Sequence, residues 1–254
     1  MRCAASSSAL IALFILSLSA CQPAAAPSPT PVPQAIGVTP LYLDWTSASL
    51  ANYRDGHEGA NFSLDVYALD AGLEALEDGE IGLLVGAIEP EQSMFAAPLV
   101  QDGIAVVHNA ELGVRSLSIE ELRRIFAGGE QNWQAFGGED LPIYPIIPLP
   151  GDGLRNIFQD RVLGTFQFST LARLQASPEQ TLTLVEEEPG AIGFVPFSQL
   201  GRDIAVFRID GQAPSLRSIQ NGSYPLSYWV SAIGENEPEG ALRGWIGWVQ
   251  AQND

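Results

Sequence analysis

The chain has 254 residues, with 30 acidic and 12 basic side chains, so its formal net charge at pH 7 is −18. All of the basic residues are arginines. This balance excludes nucleic acid as a partner, because phosphate backbones are bound by basic surfaces, and it disfavours binding of anionic lipid by the protein surface. An acidic balance of this size most often serves solubility, which is the interpretation we prefer.

The N-terminal segment has the pattern of a targeting signal. Arg2 precedes about ten mainly apolar residues at 9–18, which is the length of a signal-peptide core and too short to span a bilayer. The following stretch, Leu18-Ser19-Ala20-Cys21, resembles a bacterial lipoprotein box. We therefore predict a lipoprotein signal peptide over residues 1–20 and lipidation at Cys21. An ordinary secretory signal with a chance cysteine is the alternative.

Residues 21–35 predict a Pro/Ala-rich tether. The stretch 22–34, QPAAAPSPTPVPQ, has five prolines and no charge, which favours an extended and semi-rigid spacer. The two cysteines of the chain are Cys3 and Cys21, so we expect no disulfide beyond the tether. About 220 residues remain, enough for one large domain or two small lobes.

Apolar runs and helical patterns alternate after the tether. The order β-α-β-α-β-β indicates an α/β sheet with parallel strands. The predicted elements are a strand at 41–45 (LYLDW), a helix at 47–56, a strand at 62–67, a helix at 69–79, and buried strands at 81–87 and 103–109.

The next predicted helix, 116–129, begins with a capping box formed by Ser118 and Glu121. Its inward face is formed by Leu122, Ile125 and Phe126. The elements predicted after it are a strand at 141–149, a glycine turn leading into a helix at 148–158, strands at 191–197 and 204–209, and a helix at 239–250 with an apolar stripe of Leu242, Trp245, Ile246 and Val249.

Enzyme motifs are absent from the sequence, which has no G-x-S-x-G elbow, no H-E-x-x-H and no phosphate-binding loop ending in Gly-Lys-Ser/Thr. We interpret His57, in the stretch RDGHEG, as part of a solvated turn rather than as a metal ligand with Asp55 and Glu58. His108 ends an apolar strand and is interpreted as a half-buried structural residue. We predict no catalytic residue, no metal and no cofactor.

Three segments stand out in the order GVRSLSIEELRRIFAGGEQNW at 113–133, PGAIGFV at 189–195 and NGSYPLS at 221–227. Together, and in this order, they resemble the phosphate-binding proteins of ABC uptake systems and the wider family of type II periplasmic-type solute-binding proteins. The resemblance covers most of residues 40–250. It is specific for the fold, because these segments are structural parts, and weakly informative about the ligand.

The resemblance implies a two-lobed α/β fold with a ligand cleft between the lobes, which close on binding. Lobe 1 would comprise residues 36–103 and 222–254, and lobe 2 residues 104–221. The alternation of strands and helices fits this architecture, in which ligands bind at the carboxyl ends of the strands.

The glycine turn at 148–158, PLPGDGLRNIF, aligns with the family's phosphate turn, R-x-D-G-S-G-T. Gly151 and Gly153 persist, but Pro148 replaces the arginine, Asp152 the serine and Leu154 the threonine. A carboxylate here would repel a bound phosphate by several kcal/mol in a poorly solvated cleft. Asp152 is expected to cap the helix, or else to suit a cationic or hydroxyl-bearing ligand.

The resemblance places the ligand-binding candidates at the first strand and the start of its helix, and at this turn. They are Thr39, Thr46 and Ser47 from lobe 1, and Asp152, Gly153 and Arg155 from lobe 2. Arg155 either swings back toward an anion or lies at the surface paired with an acid.

The leading hypothesis is an extracytoplasmic, lipid-anchored and monomeric solute-binding protein that captures a small solute or oxyanion for an ABC permease. It would be no enzyme, although an enzyme on this fold is a third and weakest alternative. The second hypothesis is a degenerate binding fold that acts as a surface scaffold or sensory partner without a transport ligand.

Overall fold

The computed structural model describes residues 34–201 and 204–252. These residues form a curled mixed sheet with helices packed against it. The predicted signal peptide, Cys21 and nearly all of the predicted tether lie outside these residues. Among the described residues, no helix has both the length and the apolar character that crossing a membrane requires.

The described strands are β1 (Gln34–Val38), β2 (Phe62–Val66), β3 (Leu83–Ala87), β4 (Phe95–His108), β5 (Ser116–Leu117), β6 (Tyr144–Pro148), β7 (Arg173–Gln175), β8 (Ala191–Pro196), β9 (Ala205–Val206), β10 (Arg208–Ile209) and β11 (Ser227–Gly234). The described helices are α1 (Leu43–Gly56), α2 (Leu69–Glu77), α3 (Ile119–Phe126), α4 (Gly153–Phe158), α5 (Pro178–Glu187), α6 (Leu216–Gln220) and α7 (Gly240–Gln250).

The main sheet has the order β2-β1-β3-β11-β4-β8-β6-β7, with β9 beside β4, while β5 and β10 form a separate pair. β1 is parallel to β2 and β3, and β6 is parallel to β7 and β8. β11 and β4 run antiparallel to their neighbours in this path. Two groups of parallel strands are therefore joined through antiparallel strands.

β4 takes part in both groups. Its residues Phe95–Gly103 pair with β11, and its residues Ile104–His108 pair with β8. The change occurs after Gly103, where a Cβ would lie 2.8 Å from Cδ1 of Ile219. We call β2-β1-β3-β11 with the first part of β4 the first half-sheet, and β8-β6-β7 with the rest of β4 the second half-sheet.

The predicted apolar faces of two helices are confirmed. Leu122, Ile125 and Phe126 of α3 are buried, and Ser118 and Glu121 form the predicted capping box. The stripe predicted for α7 is also buried, and Trp245 Nε1 donates to Ser49 Oγ of α1 at 2.9 Å. These faces belong to one large hydrophobic cluster.

The strand predicted at 41–45 is wrong. Pro40–Tyr42 forms a 3-10 turn and α1 begins at Leu43; proline favours this start because its φ is already helical and its missing N–H is not needed there. The first strand is instead β1, which begins inside the predicted tether. Its β-branched Ile36 and Val38 are fully buried.

Other elements differ from the prediction in extent or were missed. The strand predicted at 103–109 is the second half of β4, and the strand predicted at 204–209 is split into β9 and β10, which pair with different partners. β7, α5, α6 and β11 had no counterpart in the prediction. α5 ends at Glu187, within the acidic stretch 186–188; its short apolar face and these glutamates hide its helical pattern.

Candidate functional site

A cleft of about 790 Å³ opens where parallel strands of both half-sheets end. Its lining comes from segments that follow β1, β2, β6, β7 and β8, together with the middle of β4. These segments are residues 40–45, 68, 149–152, 176–179, 198–199 and, from β4, 100–102. A position at the carboxyl ends of strands is where α/β sheets bind ligands, because helix N-termini and loops converge there.

The glycine turn after β6 lines this cleft through Asp152. Gly151 has φ +83°, a left-handed conformation that favours glycine. Asp152 Oδ1 accepts hydrogen bonds from the backbone N–H groups of Leu154, at 2.8 Å, and Arg155, at 3.3 Å. The predicted helix cap is therefore confirmed, and these two N–H groups of α4 are satisfied within the protein.

The guanidinium of Arg155 contacts a backbone carbonyl and an aromatic ring. Its Nη1 donates to the carbonyl of Pro148 at 2.7 Å, and its guanidinium lies 4.7 Å from the ring centroid of Phe168. The prediction that Arg155 lies at the surface in an acid pair is therefore wrong: the side chain is half-buried, and no carboxylate of the described residues forms an ion pair with it. A carbonyl and an aromatic face satisfy the guanidinium instead.

The turn also contacts the first half-sheet. The N–H of Leu69, the first residue of α2, donates to the carbonyl of Gly151 at 3.1 Å. Gly153 lies so close to β3 that a Cβ would be 2.3 Å from the carbonyl oxygen of Ala87. Only glycine permits this approach, which brings the two sides of the cleft together next to Asp152.

Two side-chain contacts join the same sides elsewhere. Gln199, after β8, donates from Nε2 to the carbonyl of Leu41 at 2.7 Å. Arg161, after α4, pairs with Glu89 at 2.8 Å and also donates to the carbonyl of Ser227. The structure thus describes a conformation in which the two sides are already bound to each other.

A polar cluster around the buried carboxyl of Asp102 lies at the cleft. Asp102 Oδ1 accepts from the N–H groups of Gly103, at 2.7 Å, and Ser198, at 3.1 Å, while its Oδ2 accepts from Ser198 Oγ at 2.6 Å. Tyr42 and Tyr228 join their hydroxyls at 2.5 Å. The cluster links β4 to the segments that follow β1 and β8, so it connects both sides of the cleft.

Burial raises the pKa of both cleft carboxyls, Asp102 and Asp152, above the usual range for aspartate, while their hydrogen bonds act in the opposite direction. The pKa of the Tyr42 hydroxyl is raised well above its ordinary value, first by burial and then by the charges of Asp102 and Asp152. Both carboxyls therefore act on the same hydroxyl from different elements.

These raised pKa values predict a pH dependence of stability. A carboxyl whose pKa is higher in the folded state favours folding when protonated, and this contribution is lost as the pH rises through the folded-state pKa. We expect the free energy of unfolding of Asp102→Asn, relative to the parent, to increase with pH above about pH 4, the unfolded aspartate range. Urea denaturation at several pH values measures it; a difference that stays constant or falls would contradict the prediction.

The six predicted ligand-binding residues do not all meet at the cleft. Asp152 lines it, whereas Gly153 is buried against β3. Thr39, which follows β1, is buried; Thr46, in α1, is fully buried, and its Oγ1 has no partner among the described residues; Ser47 is exposed on α1. None of these three lines the cleft, and neither does Arg155. A ligand-binding role for any of the six stays a prediction.

Most residues that line the cleft, including Tyr42, Asp102 and Ser198, were not among the predicted ligand-binding residues. One feature of the sequence could have identified Asp102 as a candidate site residue. Asp102 is an acid directly before an apolar strand segment, and it becomes a buried acid inside β4 once that strand is extended to its true start. Buried carboxylates are rare outside paired or functional positions, so an acid in such a strand marks a candidate site.

The two histidines lie apart from the cleft. His57 directly follows α1, where its ring stacks on Tyr53 and its Nδ1 lies 2.9 Å from the Tyr53 carbonyl oxygen. His108, at the end of β4, is fully rather than half buried, with Nδ1 2.8 Å from the carbonyl oxygen of Asn109. Over residues 34–201 and 204–252, no three His, Cys, Asp or Glu side chains are placed to hold a metal ion.

A sheet whose long β4 changes partners between two groups of parallel strands, with a cleft at the ends of both, defines the two-lobed fold of the periplasmic binding proteins. The predicted fold class is confirmed. The family model described as the PBP superfamily domain matches residues 38–253, and the chain belongs to that superfamily.

Individual relatives agree with this assignment. The chain is 24% identical to the phosphate-binding protein PstS of Bacillus subtilis. The alignment spans 214 residues, which are 81% of this chain and 71% of the relative. A crystal structure of an ABC-type phosphate transport receptor from Vibrio cholerae has a TM-score of 0.76 at 19% identity, over 85% of this chain and 93% of the other. A second crystal structure is that of a putative phosphate ABC transporter substrate-binding protein from Clostridium perfringens with bound phosphate. Its TM-score is 0.75 at 18% identity, and the match covers 86% of this chain and 97% of the other.

Proposed function

We propose that this protein is a solute-binding receptor that captures a small solute in the cleft between its half-sheets and delivers it to an ABC-type permease. The observation that carries the proposal is the cleft of about 790 Å³ at the ends of strands from both half-sheets. Clefts of about 300–1,000 Å³ suit small ligands. The relatives described as phosphate receptors support a transport role.

The proposed lobes are residues 36–103 with 222–254, and residues 104–221. The change of partners in β4 between Gly103 and Ile104 supports the first boundary. The hydrogen bond from Ile104 N to the Leu226 carbonyl, at 2.9 Å, supports a second crossing near residue 222. Closure of the lobes around a solute would bend the chain at these two crossings.

We further propose an extracytoplasmic monomer without catalytic activity. The sequence pattern before Cys21 supports a lipid anchor there, and the proline-rich segment 21–35 would hold the binding domain away from the membrane. Labelling of cells with a fatty-acid analogue tests the anchor: the protein should take up the label, and Cys21→Ser should not.

Phosphate is the ligand that the relatives' names suggest, but the turn after β6 differs from a phosphate turn in ways the structure explains. Asp152 already accepts from the N–H groups of Leu154 and Arg155, and Leu69 N–H already donates to Gly151. These donors are bound by the protein's own oxygens. A dianion would also meet the charge of Asp152. We propose that the receptor takes a solute other than free phosphate.

A second candidate function is a scaffold or sensory partner with no transport ligand. The contacts that already join the two sides of the cleft favour it: Leu69 with Gly151, Gln199 with Leu41, and Arg161 with Glu89. A receptor needs to open, and each of these contacts stabilises the closed arrangement.

Thermal unfolding of the full-length protein in mild detergent distinguishes the two functions, followed through the fluorescence of its five tryptophans. The compounds are phosphate, other oxyanions, amino acids, polyamines and sugars. A solute at a hundredfold its Kd should raise the free energy of unfolding by about 2.7 kcal/mol. A clear shift with any solute supports the receptor, whereas no shift in the whole set favours the scaffold. A shift with phosphate would contradict the proposal that the receptor takes a solute other than free phosphate.

A further inference from the structure

The charged side chains that line the cleft are all acidic. Asp44 lies in the first turn of α1, Asp102 in β4, Asp152 before α4 and Glu179 in the first turn of α5. The lining, which lies entirely within the described residues, contains no arginine and no histidine. The potential inside the cleft is therefore set by carboxylates from four elements.

Asp152 retains an oxygen for a ligand. Both of its cap hydrogen bonds end on Oδ1, and none from the described residues reaches Oδ2. Burial raises the pKa of Asp152, and the charge of Arg155 opposes this effect. The Arg155 guanidinium itself donates from Nη1 to the carbonyl of Pro148 and stacks on Phe168. Oδ2 can accept a hydrogen bond from a bound solute without loss of the helix cap.

Asp102 and Asp152 both line the cleft. They reach the cleft from β4 and from the turn after β6, yet the charges of both act on the hydroxyl of Tyr42. Asp102 is fixed there by its bonds to Ser198 and Gly103. A positive group in the cleft would be attracted by both carboxylates, because charge pairs are strongest in a poorly solvated space.

The rest of the lining is suited to an apolar body. Trp45 offers aromatic surface, and Leu41, Leu149 and Pro150 add aliphatic contact. Aromatic faces attract organic cations and also bind their hydrocarbon parts. Acidic groups with aromatic and aliphatic neighbours match a molecule that combines an ammonium group with a carbon chain or ring.

We propose that the cleft binds a small organic cation, an aliphatic or aromatic amine, with its ammonium group beside Asp152 and its carbon body against Trp45 and Leu149. This inference rests on the proposed receptor function and gives it a substrate class. Phosphate, by contrast, would meet carboxylates on several sides of the same cleft.

Isothermal titration of the full-length protein in mild detergent tests the proposal with putrescine, spermidine, choline and phenethylamine. The matched control is 1,4-butanediol, which has the length of putrescine but no charge; phosphate is the anionic control. We expect at least one amine to bind at least tenfold more tightly than butanediol and phosphate, and its affinity to fall as salt is added.

Variants locate the charge. Asp152→Asn keeps an oxygen for the cap, since asparagine is an equally good N-cap residue, and should weaken binding of the amine at least tenfold. Asp160→Asn is the matched control in the segment after α4: its side chain is exposed and outside the cleft lining, and the variant should bind as the parent does. Thermal unfolding of both variants verifies that they are folded.

Three results would contradict the proposed amine site or the proposed ligand class. Equal loss in Asp152→Asn and Asp160→Asn, or no loss in either, would overturn the site. Tighter binding of butanediol or phosphate than of every amine would overturn the cationic class while the receptor function stands. If no amine binds, the cationic class is wrong, and the wider set of oxyanions, amino acids and sugars then decides separately whether the receptor function fails as well.

Discussion

Phe158→Ala is expected to lower the free energy of unfolding by about 3–5 kcal/mol, the range for removal of a large aromatic side chain from a packed core. Phe158 ends α4 and is fully buried. Its ring stacks on Phe194 of β8 at 4.1 Å with an interplanar angle of 3°, and it meets Phe126 of α3 edge-on at 4.8 Å. The substitution therefore removes the centre of an aromatic cluster that joins three elements.

This cluster also matters for the cleft, because α4 carries the turn with Asp152 at its other end. Urea denaturation measures the loss, and Phe166→Ala is the matched control: Phe166 is 56% exposed, and its removal should change the free energy of unfolding by less than about 0.5 kcal/mol. Similar effects of the two substitutions would show that the aromatic cluster does not stabilise the second half-sheet.

The elements that the sequence predicted correctly are those with a complete local pattern. β3 is a continuous apolar run buried along its whole length, and α3 has both a capping box and a clear apolar face. β4 was only half predicted, because its first part contains Pro98, Gln101 and Asp102 and is stabilised by pairing with β11, more than a hundred residues away. Such pairing leaves no trace in a local window.

The candidate site was predictable only where one short segment determines the geometry. The cap by Asp152 follows from a short polar side chain before a helix, and the structure confirms it. Asp102, Tyr42 and Ser198 belong to three elements that the sheet brings together, so no spacing in the sequence relates them. Thr46 and Ser47 were expected at the start of a helix, but α1 begins earlier, at Leu43, and turns Thr46 into the core.

Gly153→Ala is expected to force apart the two sides of the cleft. The new Cβ would lie 2.3 Å from the carbonyl oxygen of Ala87, both atoms being fixed to backbone, so α4 must move by about 1 Å to restore a normal contact. Overpacking of this kind costs about 1–3 kcal/mol. Because Leu69 N–H donates to Gly151 in the same region, the shift should also break that hydrogen bond.

Hydrogen exchange at the amide of Leu69 measures the opening, and urea denaturation measures the cost. We expect the amide to exchange faster in Gly153→Ala than in the parent. Gly247→Ala, in α7, is the matched control, since a Cβ there has nothing within 4 Å; it should leave the exchange rate unchanged and add up to about 1 kcal/mol through helix propensity. If Leu69 exchanged at the parental rate in Gly153→Ala, the close approach of Gly153 to Ala87 would not hold the sides together, and the contacts of Gln199 and Arg161 would have to account for the closed arrangement.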